Sequence, residues 1–165
     1  MEPAIRPMTD ADWKSVCEIY MEGLATGQAS FETSAPTWDK WNASHHHHSR
    51  LVACDGGDVI GWAVLSPASA RECYSGVAEV SVYVAGRCGG RGVGMRLLQE
   101  VITSSENNGI WTLVSSTFPE NEASLKMQES CGFRRVGVRE KIAMHNGVWR
   151  DTVLSERRSK VVGVP

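Results

Sequence analysis

Val77-Ala78-Glu79-Val80-Ser81-Val82-Tyr83-Val84 runs directly into Ala85-Gly86-Arg87-Cys88-Gly89-Gly90-Arg91-Gly92-Val93-Gly94. The first eight residues are rich in β-branched side chains and alternate. Glu79, Ser81 and Tyr83 fall on one face and Ala78, Val80, Val82 and Val84 on the other, which predicts a central strand. From Val93 to Asn107 the apolar residues Leu97, Leu98, Val101 and Ile102 recur at helical spacing, and Gly109 supplies a left-handed stop. A glycine-rich turn therefore joins a strong strand to a strong helix. Glycines let a backbone approach a ligand closely, and N–H groups at a helix start point at an anion with the helix dipole behind them. A phosphate or pyrophosphate is the expected guest of Gly89, Gly90, Gly92, Val93 and Gly94. Arg87 and Arg91 are candidate side-chain ligands, although an arginine on such a loop can equally stay solvated.

Outward from this stretch the chain alternates strands and helices without an internal repeat or a Pro/Ser-rich linker, so a single domain over residues 1–165 is expected. Ala4 to Met8 reads as a short strand, and Thr9 with Asp12 three residues on resembles a helix N-terminus. Trp13, Val16, Cys17, Tyr20 and Leu24 then share one helix face. Ser34 or Thr37 can cap a short second helix bearing Trp38 and Trp41. Asp55-Gly56-Gly57-Asp58 turns Arg50–Cys54 back on Val59–Ser66 as a hairpin, and a loop covers Pro67–Gly76. Downstream, Thr112–Ser116 is a strand, and Pro119 and Asn121 open a helix that runs through Cys131 to Gly132. Asn146-Gly147 joins the last two strands, Arg134–Ala143 and Trp149–Glu156. The expected order is β-α-α-β-β-β-α-β-α-β-β.

Charge and composition narrow the function. Lys and Arg total 17 against 19 for Asp and Glu, a formal net charge of -2, so no basic field exists to hold a nucleic acid. No apolar run reaches the roughly 20 residues of a membrane span, and residues 1–10 carry charges and prolines where a signal peptide needs an apolar stretch. A soluble, cytoplasmic protein without a membrane partner is expected. Cys17, Cys54, Cys73, Cys88 and Cys131 form no C-x-x-C pair and are odd in number, which suits reduced thiols. The run His45–His48 lacks acidic or Cys partners at ligand spacing, so it reads as a solvated segment and no metal is expected.

Three phosphate motifs compete for the turn. A Walker A loop requires Lys and then Ser or Thr after its last glycine, but Met95 and Arg96 follow Gly94. The dinucleotide fingerprint requires a third glycine where Leu97 stands. The turn instead resembles the acetyl-CoA pyrophosphate loop of GNAT acetyltransferases, R/Q-x-x-G-x-G/A, aligned on Gly92 and Gly94 with Gly89 at its first position. Pro119-Glu120-Asn121 with Ser124, and Gly132-Phe133 after a helix, also fall where that family has them. Further spellings are similar to the phosphinothricin and methionine sulfoximine acetyltransferases. They are Phe31-Glu32-Thr33 with Pro36 and Trp38, Arg71-x-x-Tyr74 before Glu79, Gly147-x-Trp149-Arg150-Asp151, and Glu156-Arg157-Arg158-Ser159. Gly27–Thr33, Gly109-Ile110-Trp111-Thr112-Leu113 and Phe118–Asn121 look closer to the arsinothricin-resistance branch. The resemblance implies an α/β (α+β) GNAT fold, a mixed central sheet of about seven strands flanked by about four helices.

It also implies direct acetyl transfer from acetyl-CoA to the amine of a small amino acid, in a protein that is usually a homodimer. Glu79, an ionisable group in an apolar strand, is the candidate base, because burial would raise its pKa toward the working pH. Arg71 and Phe31 are candidates for the acceptor pocket, a guanidinium fork for an acidic group and an aromatic wall for the aliphatic part, with Tyr74 beside them. The strand residues Val82, Tyr83 and Val84, with Asn121 and Ser124, are expected along the pantetheine arm. Gln128 stands where the group often has a Tyr or His acid, and an amide cannot give up a proton at neutral pH. Cys88 and Cys131 lack a nearby base and read as structural thiols. Two other readings stay open, an acetyl-CoA-binding sensor without turnover and an enzyme that acetylates a protein or polyamine amine.

Overall fold

The computed structural model describes residues 2–165. The strands are β1 (Ala4–Pro7), β2 (Leu51–Asp55), β3 (Asp58–Pro67), β4 (Val77–Val84), β5 (Thr112–Thr117), β6 (Arg134–His145) and β7 (Val148–Arg158). The helices are α1 (Trp13–Ala25), α2 (Trp38–Ser44), α3 (Val93–Asn107) and α4 (Glu122–Ser130). This is the expected order, with short 3-10 turns added at Asp10–Asp12, Glu72–Tyr74 and Gly86–Cys88. The strands form one sheet in the order β1-β2-β3-β4-β5-β7-β6. Every neighbouring pair is antiparallel except β4 and β5, which the α3 crossover makes parallel.

Helices cover both faces because both faces carry apolar rows. On one side Leu97, Leu98 and Val101 of α3 pack against Ala53, Ala63, Leu65, Ala78 and Val80. On the other, Val16 and Ile19 of α1 and Trp41 of α2 pack against Val52, Trp62 and Val64. The buried stripe of α1 is Val16, Ile19 and Leu24, so Ile19 joins the expected face, while Cys17 stays half-buried. Local chemistry sets the ends. Thr9 N donates to Asp12 Oδ2 at 2.8 Å ahead of α1, and Thr37 Oγ1 accepts from Lys40 N at 3.4 Å to open α2.

Two features of the sheet position a site. First, β4 and β5 pair at only three positions, Val77 with Thr112, Ala78 with Leu113 and Glu79 with Val114, and then part. From there Val80–Val84 and Ser115–Thr117 face each other across a gap as two unpaired strand edges. Second, paired residues point to the same side of a sheet. The register therefore sets Glu79, Val114, Ser116, Leu154, Thr152 and Arg139 on the face covered by α1 and α2. Ala78, Leu113, Ser115, Thr117 and Val153 face α3 and α4.

Candidate active site

The gap between the two strands is a cleft of about 590 Å³. Glu79–Val84 form one wall, Ser115–Phe118 the other, and Asn121, Ser124, Met127 and Gln128 the α4 side, with Gln28–Glu32 at the mouth. A second hollow of about 690 Å³ lies under α1 and α2, walled by Tyr20, Trp41, Trp62 and Tyr83, with Lys40 and the hydroxyls of Ser34, Thr37 and Ser44. Glu79, Ser81 and Tyr83 line both spaces.

Glu79 thus stands at a junction. It is open to solvent there and is not the buried carboxylate that its apolar neighbours suggested, because the parting strands expose it. The surrounding protein still strips enough water to push its carboxyl pKa above the usual value, and the charge of Arg139 pulls the other way. Tyr83, expected along the cofactor arm, turns its ring to the α1 side, stacked on Trp62 at 4.7 Å and edge-on to Tyr20 at 5.0 Å. Its backbone alone faces the gap with those of Val82 and Val84.

The glycine-rich turn has the geometry of an anion cradle. Gly92, at φ +76°, begins α3, a dihedral that a side chain would strain. Arg96 N bonds back to Gly92 O at 3.1 Å, which leaves the N–H groups of Val93, Gly94 and Met95 without helical partners. The side chain of Val93 is buried in the core, so only its backbone can serve a ligand. Gly94 sits close to α4 and β4, since a Cβ there would lie 3.1 Å from Met127 Sδ, which would have to give slightly, and in ordinary contact with Val84 Cγ2 at 3.5 Å. Gly89 and Gly90 are exposed beside it. Of the two arginines, Arg91 is drawn to Asp55 at 3.0 Å across the hairpin turn, and Arg87 is exposed.

At the start of α4, Asn121 Oδ1 accepts from Ser124 N at 3.3 Å. Gln128, one turn on, is 5% exposed. Its Nε2 lies within 3.0 to 3.2 Å of Thr117 Oγ1, Ser115 Oγ and Ser124 Oγ, while its Oε1 is buried without a partner. Phe31 lines the cleft mouth, edge-on to Phe118 at 4.9 Å. The structure does not bring Arg71 or Tyr74 into either space. They sit on the exposed loop before β4, the guanidinium stacked 5.4 Å from the ring.

One charged residue that carries no motif bears on Glu79. Arg139 shares the Glu79 face and is exposed, opposite Thr152 of the cleft wall. Only the strand order β5-β7-β6 puts it there. Arg150 is spent on structure, donating to Gly27 O and Gln28 Oε1, each at 2.7 Å, and lying 3.7 Å from the centre of the Phe118 ring. Arg50 is likewise engaged with Asn42, His45 and His46. In the His run, His45 Nδ1 contacts Trp41 O at 2.7 Å and His46 stacks on His48. Among the described residues, no group of three or more His, Cys, Asp or Glu could hold a metal ion, and no helix is long and apolar enough to cross a membrane. All five cysteines are free, and burial pushes the Cys17 and Cys131 thiols up, away from reactivity.

Known proteins are similar to this chain. A phosphinothricin N-acetyltransferase of Alcaligenes faecalis is 32% identical over 160 residues, 93% of this chain and 81% of that protein. An L-methionine sulfoximine/L-methionine sulfone acetyltransferase of Pseudomonas aeruginosa is 28% identical, over 92% of this chain and 91% of its own length. The crystal structure of a GNAT phosphinothricin acetyltransferase from Sinorhizobium meliloti in complex with acetyl-CoA superposes with a TM-score of 0.88 at 25% identity, covering 99% of this chain and 91% of that one. Residues 13–133 match the acetyltransferase (GNAT) family itself, and with the parted strands and the cradle at α3 this establishes that the chain belongs to the GNAT acetyltransferases.

Proposed function

We propose that this GNAT enzyme moves the acetyl group of acetyl-CoA to the α-amine of a small amino acid of the phosphinothricin and methionine sulfoximine type, by direct transfer with Glu79 as base. The observation that carries the reading is the position of Glu79 where a cleft and a second hollow meet, so that donor and acceptor can approach one carboxylate from different spaces.

The residues fit the donor. The free edge of Val80–Val84 offers N–H and C=O groups to a peptide-like arm in the manner of an added strand, and the buried end of Gln128 needs a polar partner. The first N–H groups of α3, with Gly89, Gly90 and Gly92, suit a pyrophosphate. Arg87 is a side-chain ligand for it, Arg91 becomes one on leaving Asp55, and Asn121 and Ser124 border the arm. For the acceptor, Glu79 takes the ammonium proton, which frees a lone pair for attack on the thioester carbon. Phe31 walls the entrance. An acidic group of the substrate meets Arg139 on the same face, with Arg71 and Tyr74 on the neighbouring loop as the other candidates. Within this class the arsinothricin branch is our preferred assignment, with detoxification as its outcome. The free thiols suit a cytoplasmic setting.

The test is thiol release from acetyl-CoA with phosphinothricin, arsinothricin, methionine sulfoximine, methionine sulfone and polyamines. Turnover on the amino acids with little on polyamines is expected. Acetyl-CoA binding with no release on any amine would make the protein a sensor and overturn the reading.

A further inference from the structure

The loop between β4 and α3 is tied at its entrance by a side chain from a distant element. Gly86, the first residue of the 3-10 turn that follows β4, donates its N–H to Glu22 Oε2 of α1 at 2.9 Å. The other bonds of this turn come from backbone, Ala85 N to Ile60 O and Cys88 N to Ala85 O, each at 2.8 Å, and Gly89 N to Gly86 O at 3.2 Å. Among the described residues, Glu22 supplies the only side-chain bond to an N–H group of Ala85–Gly89. The neighbour of Glu22 brings it within reach. Gly23 lies so close to β4 that a Cβ there would stand 2.7 Å from the Tyr83 ring, so a residue without a side chain lets α1 settle against the strand that leads into the loop.

A carboxylate is an unexpected choice at this place. The turn leads to Gly92 and the free N–H groups at the start of α3, a cradle for an anion, and a negative charge on the same loop repels one. Glu22 is exposed, so water and salt screen its charge, whereas its bond to Gly86 acts at contact distance. Resting on the acetyl-transfer reading above, we propose that Glu22 is a positioning residue for the donor, which by holding Gly86 sets the path of the chain into the cradle before acetyl-CoA arrives. A loop ordered in advance spares the cost of ordering it on binding. Loss of the bond should then weaken acetyl-CoA and leave the chemistry at Glu79 alone.

Calorimetry of acetyl-CoA with the whole protein tests this in Glu22→Ala and Glu22→Gln. Glutamine keeps an oxygen that can accept from Gly86 and loses the charge, and alanine loses both. The Kd should rise about tenfold in Glu22→Ala and stay at or below the parent's in Glu22→Gln. With acceptor present, kcat at saturating acetyl-CoA should stay within about twofold of the parent in both. If Glu22 were only a charge on the loop, both variants would bind more tightly, and that result would overturn the proposal. Equal weakening in both would overturn it as well, because an amide oxygen can take the same N–H. A second readout needs no ligand: exchange of the Gly86 amide should be faster in Glu22→Ala and parental in Glu22→Gln. Equal exchange in all three proteins would show that the bond holds nothing and would also overturn the proposal. Failure of the parent to bind acetyl-CoA would instead refute the acetyl-transfer reading, and the exchange would still decide whether Glu22 fixes the loop.

Discussion

A carboxylate that serves as a base at neutral pH has to hold its proton more tightly than one in water does, and Glu79 reaches that condition by partial desolvation alone. Arg139 is the one charge that opposes the shift. Because only the ionised form accepts a proton, kcat/KM should fall as pH drops through the raised Glu79 pKa, and the acidic limb should lie above the usual glutamate value of about 4.3. Glu79→Gln should abolish that limb and lower kcat about a hundredfold or more, while acetyl-CoA affinity, measured by calorimetry, persists. Activity within a fewfold of the parent would remove Glu79 from the mechanism. Stability should respond with the opposite sign. A carboxyl whose folded pKa is raised costs stability when ionised, so Glu79→Gln should be at least as stable as the parent at neutral pH. That advantage should fade as the pH drops below the raised pKa and the parent's Glu79 becomes protonated.

At the level of elements, the segment between α1 and α2 has no helix or strand of its own, yet it supplies the mouth of the cleft. Arg150 of β7 pins its beginning through Gly27 and Gln28 and stacks on Phe118 of the opposite wall, so one side chain holds both lips. Arg150→Ala should speed amide exchange over residues 27–35 and raise the acceptor KM about tenfold, with a much smaller effect on kcat. Exchange and KM both equal to the parent's would show that the aromatic contacts of Phe31 suffice. This tie joins residues 123 apart in sequence, which is why no local pattern announced it. The elements themselves were legible. Val77–Val84 and Val93–Asn107 occupy the bounds that periodicity predicts, because alternation and helical spacing are carried by neighbours in sequence. What depends on strand order was hidden. Arg139 shares the Glu79 face only because β7 lies between β5 and β6, and the cleft beside Glu79 opens because β4 and β5 part. Arg71 looked like the acceptor's arginine by its spelling, but the loop turns it outward onto Tyr74.

For the whole molecule, the outer hairpin leaves Val136, Val138, Ile142, Met144, Val148 and Trp149 between 45% and 59% exposed, apolar side chains on both faces of the outermost strands that a second copy of the chain would cover. Light scattering at micromolar concentration should give a homodimer, and Trp149→Asp should shift it toward monomer; a monomeric parent would refute the interface. The parted strands bear on the molecule's persistence as well. A sheet with two unsatisfied inner edges is held together locally by three residue pairs, and a co-substrate that bonds to those edges acts as the strand the chain does not encode. Acetyl-CoA at a hundredfold excess over its Kd should then add about 2.7 kcal/mol to unfolding. For a chain of this length that raises Tm by about 5–10 °C. Gly92→Val, which disturbs the cradle, should lose most of that gain. Degradation in the cell follows the population of opened protein, so the lifetime of this enzyme should track the supply of its acetyl donor: thermolysin should cut the free protein faster than the loaded one, and starvation for acetyl-CoA should clear the enzyme along with its work.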